Sequence, residues 1–326
     1  MRYEFYKGVF ILKEPVPVNI SKEAHDFLIT FKNDFYPEEY KNFLKVRERR
    51  EQHSLFLQMF LKAYGGKLVD RIEEKKIGNV PVRIITPVNY DSSRDDKIAI
   101  YTFGGAYYFG TPVSSLSTGL AFELGIKVCA IDYRLGPDHP YPAALEDSFS
   151  VYREIIKDFN SKNIVWLGDS AGGHLALTTL LKGQNEGLPL PGAVALCSPW
   201  TEAEKLSDTC FTLDGYDPVL SYDSFIKPIS EEYFKGFDTK DPLISPVYGN
   251  YSENFPPVII TTGTRDMLLS DSVRLHRQLK RCGVTAELNV WEGMWHVFEA
   301  FGYPFIPEAK ESLREIATFL GNRLCR

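Results

Sequence analysis

The sequence predicts an α/β fold in which a mostly parallel sheet is covered by helices on both faces. Three observations carry this prediction. Short apolar runs, among them Lys127 to Asp132, Ile164 to Leu167, Ala193 to Cys197 and Pro257 to Ile260, alternate with stretches of helical spacing. Apart from the charged ends Lys127 and Asp132 the runs are apolar and do not alternate with polar residues, so both faces of each strand are expected to be buried. The run Ile164-Val165-Trp166-Leu167 also leads straight into Gly168-Asp169-Ser170-Ala171-Gly172-Gly173 and then into the helix-compatible Leu175 to Leu181, a strand, a tight turn and a helix.

Taken in order, residues 1 to about 65 read as helix-rich. Pro37 suits a first helical position, Lys45 to Glu51 form a charged block that reads as a solvated helix face, and the apolar block Leu55 to Leu61 must cover something. A lid is the expectation. After Gly65-Gly66 the pattern turns to β-type runs, Val80 to Ile85 and Lys97 to Phe103, followed by the strand at Lys127 and a helix from Ala143 to Phe159. The elbow strand, its helix and the strand at Ala193 come next. Residues 201 to 240 interrupt the rhythm, with Tyr222, Ile226, Ile229 and Tyr233 at helical spacing, and read as an inserted amphipathic helix that joins the N-terminal segment as a cap. Alternation resumes with the strand at Pro257, a helix from Asp271 to Arg281, the strand Ala286 to Trp291 and a final helix from Pro307 to Leu324. The expected organisation is therefore a helical cap segment, residues 1–66, and a catalytic domain, residues 67–326, with a cap insertion at 201–240.

A chain of 326 residues holds one large α/β domain with a lid, or two ordinary domains. Its 37 basic and 43 acidic residues leave a net charge of -6, which supplies no basic field for nucleic acid or for an anionic membrane. The sequence points instead to a small-molecule partner, and a homodimer is left open. The five cysteines are scattered without C-x-x-C spacing, and Cys129 and Cys197 fall inside apolar runs, as expected of reduced thiols. With no signal-peptide core after Met1 and no apolar run near the ~20 residues of a membrane span, a cytoplasmic protein is expected.

The chemistry starts at Ser170. Gly168 and Gly172 leave room for a strained elbow, and the turn opens a helix, so the free N–H of Ala171 and the positive end of the helix dipole lie beside the serine oxygen. A serine nucleophile needs a base, and in this kind of sheet the partners follow in the order serine, acid, histidine, at the carboxyl ends of strands. Of the six histidines only His276 and His296 come after a plausible acid. His276 lies inside an amphipathic helix, whereas His296 follows the last strand through Trp291-Glu292-Gly293-Met294-Trp295. His174, close to Ser170 in sequence, points along the elbow helix. For the acid, Asp266 ends the strand that begins at Pro257, and its rival Asp271 sits where a helix cap would explain it. Phe103-Gly104-Gly105-Ala106, after the strand ending at Thr102, supplies small residues where a second set of oxyanion donors belongs. Tyr107, Tyr108, Phe109, Trp200, Trp295 and Phe298 all belong to segments expected to border the serine, and Tyr107, Tyr108, Trp200 and Trp295 are the candidate substrate contacts.

Together these pieces resemble the hormone-sensitive-lipase-like family of α/β-hydrolases, the bacterial carboxylesterases and deacetylases related to arylacetamide deacetylase. The matching residues are Gly104-Gly105-Ala106 with Gly110, Asp132 to Asp138 with Pro142-Ala143-Ala144, Gly168 to Gly173, Ser198-Pro199-Trp200, Asp266 with Asp271, and His296. The resemblance spans about residues 80 to 325. It implies an eight-stranded sheet, a helical cap, Ser170, Asp266 and His296 as catalytic triad, and oxyanion donors at Gly105, Ala106 and Ala171, with Gly104 in the same loop. Two departures stand out. The family's H-G-G-G reads Phe103-Gly104-Gly105-Ala106, which keeps the backbone donors but adds a methyl near the acyl site and replaces the bracing histidine by an apolar ring. The usual acid-proline-leucine reads Asp266-Met267-Leu268.

The expected activity is hydrolysis of short-chain acyl esters, acetyl to about hexanoyl, by a serine carboxylesterase with no cofactor and no metal. Two readings compete. An amidase or peptidase on the same fold needs protonation of a leaving amine, and a non-catalytic ligand-binding relative would be marked by loss of the histidine, which is present here as His296. Neither H-E-x-x-H nor a P-loop occurs.

Overall fold

The computed structural model describes residues 2–6, 9–13, 16–31 and 65–324. Among the described residues, ten strands form two sheets. The first is a hairpin of β1 (Arg2–Tyr6) and β2 (Val9–Lys13). The second has eight strands in the order β10-β9-β8-β7-β5-β6-β4-β3, from β3 (Val69–Ile77), β4 (Val80–Pro87), β5 (Ile98–Thr102), β6 (Lys127–Ile131), β7 (Ile164–Asp169) and β8 (Ala193–Cys197) to β9 (Val258–Gly263) and β10 (Ala286–Trp291). Every neighbouring pair from β6 to β10 is parallel, while β4 runs antiparallel to both β3 and β6.

This order fixes where ligands can bind. The chain passes from β5 to β6 on one side and returns to β7 on the other, so the carboxyl ends of β5 and β7 diverge into a crevice at the point where the strand order reverses. Phe103 to Ala106 leave β5 there, and Ser170 leaves β7. The elbow helix Ala171–Asn185 packs against Ala143–Asp158, while Ser115–Leu124 packs against Pro307–Gly321, as expected when right-handed crossovers place helices on both faces. Trp166, Tyr101, Ile85 and Ile100 are among the largest fully buried side chains, so the core sits in the central strands that carry the elbow.

The insertion is partly as expected. Tyr222, Ile226, Ile229 and Tyr233 share one buried face, formed by a π-helical turn at Tyr222–Ile226 that runs into the α-helix Lys227–Tyr233. Three elements differ from the sequence reading. Residues 2–6 and 9–13 are strands within a segment that reads as helix-rich. β3 is highly charged and mostly exposed, so the edge of the sheet lacks the apolar signal of its centre. The helix Ser115–Leu124 is buried almost all round and has little amphipathic pattern to read. The charged and apolar blocks between Pro37 and Tyr64 lie outside the described residues.

Cys129, Cys197 and Cys210 are buried and unpaired, and burial pushes the Cys129 thiol up to about 12, so it serves as a small hydrophobe. Among the described residues, no helix is long and apolar enough to cross a membrane.

Candidate active site

Ser170 occupies the sharp turn between β7 and the elbow helix with φ 51° and ψ -120°, a left-hand-side backbone conformation that costs a non-glycine residue about 1–3 kcal/mol. Its surroundings hold it there. The Ser170 N–H donates to the Cys197 carbonyl at 2.9 Å, and the Ser170 carbonyl accepts from His174 at 3.1 Å and from Trp200 at 3.2 Å. The glycines are required sterically: a Cβ on Gly168 would collide with the Gly172 carbonyl, and one on Gly172 with the Thr102 carbonyl.

The other two groups arrive on the loops after β9 and β10. Those loops are stitched together by Thr264 N–H to the Trp291 carbonyl at 3.0 Å and Arg265 N–H to the Met294 carbonyl at 2.9 Å. Gly263 permits the approach, since a Cβ there would meet the Met294 backbone. As a result His296 Nε2 lies 2.9 Å from Ser170 Oγ, and His296 Nδ1 lies 3.0 Å from Asp266 Oδ1. A carboxylate can only accept, so Nδ1 carries the proton and Nε2 is free to accept from the serine hydroxyl. Asp266 is fully buried, which works to raise its pKa. The charge and hydrogen bond of His296, with the Ser198 and Thr262 hydroxyls, outweigh this and hold the carboxyl below its ordinary value. Burial works to lower His296, and it is outweighed by the charge and hydrogen bond of Asp266 and by the charges of Asp217 and Asp169, so the imidazole is held above its ordinary value.

Also beside Ser170, the loop after β5 doubles back. Gly105, Ala106 and Tyr107 have φ of 115°, 51° and 62°, so the chain turns sharply here. Among the described residues the Gly105 and Ala106 N–H groups make no bond to a backbone carbonyl, and Ala171, first in its helix, has no intrahelical acceptor for its own. These amides belong to the loop after β5 and to the first residue after Ser170, and unspent backbone donors of this kind, with the relay, suit a reaction in which a carbonyl oxygen gains charge.

A family model for the alpha/beta hydrolase fold matches residues 99–300. An acetyl-hydrolase of Streptomyces hygroscopicus is 31% identical over 70% of this chain and 76% of its own, and an esterase of Acinetobacter venetianus is 30% identical over 68% and 74%. Among solved structures, one esterase superposes with a TM-score of 0.87 at 30% identity, covering 99% of this chain and all of that one. An esterase of the bacterial hormone-sensitive lipase family superposes with a TM-score of 0.80 at 27% identity, covering 94% of this chain and 99% of its own. The chain belongs to the hormone-sensitive-lipase-like esterases of the α/β-hydrolase fold.

Against that family pattern, the structure corrects the place of several residues. Gly104 is not free to be an oxyanion donor: its N–H donates to Asp169 Oδ2 at 3.0 Å, while Asp169 Oδ1 accepts from the Tyr101 hydroxyl at 2.7 Å. Gly104 therefore anchors the loop to the residue before the serine, and a Cβ there would strike the same carboxylate. The rings offered as substrate contacts are engaged in packing. Tyr107 stacks on Tyr233 with centroids 4.5 Å apart and its hydroxyl meets His174 Nδ1, Trp200 Nε1 donates to the Glu202 carbonyl, and Trp295 stacks on Phe27 at 4.0 Å. Tyr108 is buried against Gly136 and lines a cavity of about 220 Å³ with Tyr141, Tyr233 and Phe237. Their surface is spent largely on packing against one another and against neighbouring rings, which is where aromatic burial gains most.

Asp271 does not cap its helix, whose first residue is Leu269. It accepts from Thr201 N–H at 2.8 Å, from Glu202 N–H at 3.1 Å and from the Ser207 hydroxyl. It thus fixes the segment after Ser198-Pro199-Trp200 and stands apart from His296. His276 is similarly remote, with Nε2 3.3 Å from the Ala286 carbonyl. His174 Nε2 lies 2.8 Å from the Ile244 carbonyl, and burial lowers its pKa to about 4, so it stays neutral. Sequence reading missed one residue of the site, Asp217, a buried carboxylate in the insertion that accepts from the backbone N–H groups of Met267 and His296. Its only sequence signal is an aspartate before a proline, which reads as a turn.

Proposed function

We propose that the chain is a serine carboxylesterase for short-chain acyl esters, working through a covalent acyl-enzyme. The observation that carries this reading is the continuous relay from Ser170 Oγ through His296 to Asp266, supported by the Gly105 and Ala106 N–H groups, which among the described residues make no bond to a backbone carbonyl. Ser170 attacks the ester carbonyl while His296 Nε2 takes its proton, and the Gly105, Ala106 and Ala171 N–H groups hold the oxyanion. When the tetrahedral species collapses, His296 returns the proton to the departing alcohol. A water then repeats the sequence on the acyl-enzyme, with His296 as base, and releases the acid. Asp266 stays ionised throughout, keeping the imidazole in the productive tautomer and stabilising its charged form.

Preference for acyl groups from acetyl to about hexanoyl rests on Ala106, whose methyl group stands where the family has none, and on the fixed packing of Tyr107, Trp200 and Trp295. Each added methylene gains about 0.8 kcal/mol only where apolar room receives it. The acetyl-hydrolase relative supports the same direction. In this reading the segment 1–66, of which residues 16–31 hold a described helix, and the 201–240 insertion act as the cap, which is supported by Ala24 and Val219 sharing an apolar cluster with Trp295 and Phe298. Hydrolysis of matched esters and amides by the purified protein tests the class: cleavage of esters alone supports an esterase, and comparable rates on amides would move the assignment to an amidase.

A further inference from the structure

The acid and the base of the relay lie on two separate loops, and a third carboxylate reaches both of them from outside the sheet. Asp217 Oδ2 accepts from Met267 N–H, next to the acid, at 3.0 Å, and from His296 N–H, on the base itself, at 3.3 Å. Its other oxygen accepts from Val219 N–H at 3.0 Å, an Asx turn that fixes the direction of the carboxylate. Val219 then inserts into the apolar cluster of Ala24, Met294, Trp295 and Phe298. The two residues Asp217 and Val219 therefore fasten the insertion to the loop of the base in two ways, by polar bonds and by burial.

A purely structural acceptor at this point would be better neutral. Asp217 is buried beside Asp266, and burial together with that like charge drives its carboxyl well above the ordinary range. An amide would escape that repulsion, but its single acceptor oxygen could not serve all three N–H groups, which use both carboxyl oxygens. When ionised, the carboxylate also puts charge facing His296, where it favours the imidazolium that forms as Ser170 attacks.

We propose that Asp217 is a positioning residue, which locks the acid loop to the base loop and supports the charge on His296, so that the relay is complete only when the 201–240 insertion is seated. This rests on the reading of Ser170, His296 and Asp266 as the catalytic relay. The charged groups facing His296 are Asp266 from the loop after β9, Asp169 from the end of β7 and Asp217 from the insertion; those facing Asp217 are Asp266 and His296.

The test begins with the unaltered full chain, which must hydrolyse p-nitrophenyl acetate and take one organophosphonate label on Ser170; failure there defeats the catalytic reading itself. Asp217→Asn is then titrated with the same label, and kcat and KM are measured against pH per labelled site. The expected result is one label per chain, a fall in kcat of about tenfold or more with KM within about twofold, and a shift of the acid limb of kcat/KM to lower pH, since one of the charges that raise His296 is gone. A lowered melting temperature with the limb and kcat of the parent would overturn the proposal and leave Asp217 as a structural acceptor. If the Asn variant does not fold, the His296 ring signals of the parent are titrated by NMR. A His296 inflection that coincides with the titration of the assigned Asp217 carboxyl, followed in the same sample, supports the proposal, and a ring that titrates without one contradicts it.

Discussion

The Phe103 ring lies flat on that of Tyr133, with centroids 4.2 Å apart and planes 13° from parallel, and the Tyr133 hydroxyl donates to the Phe103 carbonyl at 2.5 Å. The loop proposed to carry the oxyanion donors is thus fastened at its base by an aromatic stack and one backbone contact, in a place where the family pattern has a histidine. Further along, Gly104 is tied to Asp169 and Tyr107 to His174. Three anchors fix a loop whose backbone is strained at Ala106 and Tyr107.

Phe103→Ala should therefore reduce both stability and turnover. Deleting a buried ring of this size costs about 3–5 kcal/mol, and a misplaced oxyanion donor costs about 10²–10³ in kcat. Thermal melting and p-nitrophenyl acetate kinetics read the two effects. A variant with the parent's kcat would show that the Asp169 and His174 anchors suffice.

Asp266→Asn and Asp271→Asn should behave differently, although both aspartates are buried near one sheet edge. The first removes the group that holds His296 Nδ1 and should lower kcat by about 10⁴. The second leaves the relay intact but weakens the acceptor for two buried amides and a hydroxyl, a loss of roughly 1–3 kcal/mol in stability. Chemical denaturation and steady-state rates on both variants distinguish these roles, and exchange of the two phenotypes would transfer the acid to Asp271.

Much of this was legible in the sequence because the information is local. The run Ile164 to Leu167, the glycines beside Ser170 and the loop from Trp291 to His296 each declare their own geometry, and chain order then nominates Asp266. What could not be read depends on distant parts meeting. Asp217 is 79 positions from His296, and its turn-like Asp-Pro gives no hint of a partner. The spending of Gly104 N–H on Asp169 needs a contact across 65 positions, and nothing in G-G-A separates an anchoring amide from a donating one. Trp295 and Trp200 look like pocket walls by position alone, since a sequence does not say on which ring each will stack. The charged edge strand β3 failed for a different reason: an exposed edge is stabilised by not looking like a buried strand.

His174 gives a pH prediction with a definite sign. Its folded pKa of about 4 lies below the ordinary 6.5, so between those values the unfolded chain binds a proton that the folded one refuses. The stability it contributes is fully present above pH 6.5 and is lost as pH falls towards 4, by roughly 3 kcal/mol in total. His174→Gln, which can still bridge Tyr107 and Ile244, lacks this proton uptake. Urea unfolding of parent and variant from pH 7 to pH 4 should show the parent losing ground throughout the interval; parallel curves would mean that His174 is not held neutral by burial.

The acyl preference is checked on p-nitrophenyl esters of increasing length. kcat/KM should peak between acetate and about hexanoate and fall beyond it, because length without apolar room adds strain in place of the ~0.8 kcal/mol per methylene that burial would give. Ala106→Gly should extend the range at its longer end. Rates that keep rising through dodecanoate would require an open apolar tunnel and would make the protein a lipase.

The most direct measurement of the central claim is covalent labelling of the intact chain by an organophosphonate ester, read by mass spectrometry of the digested protein. The account predicts one adduct per chain, on the peptide that contains Gly168 to Gly173, with loss of ester hydrolysis in step with labelling and no adduct in Ser170→Ala. An adduct on any other residue, or full activity in Ser170→Ala, would contradict it.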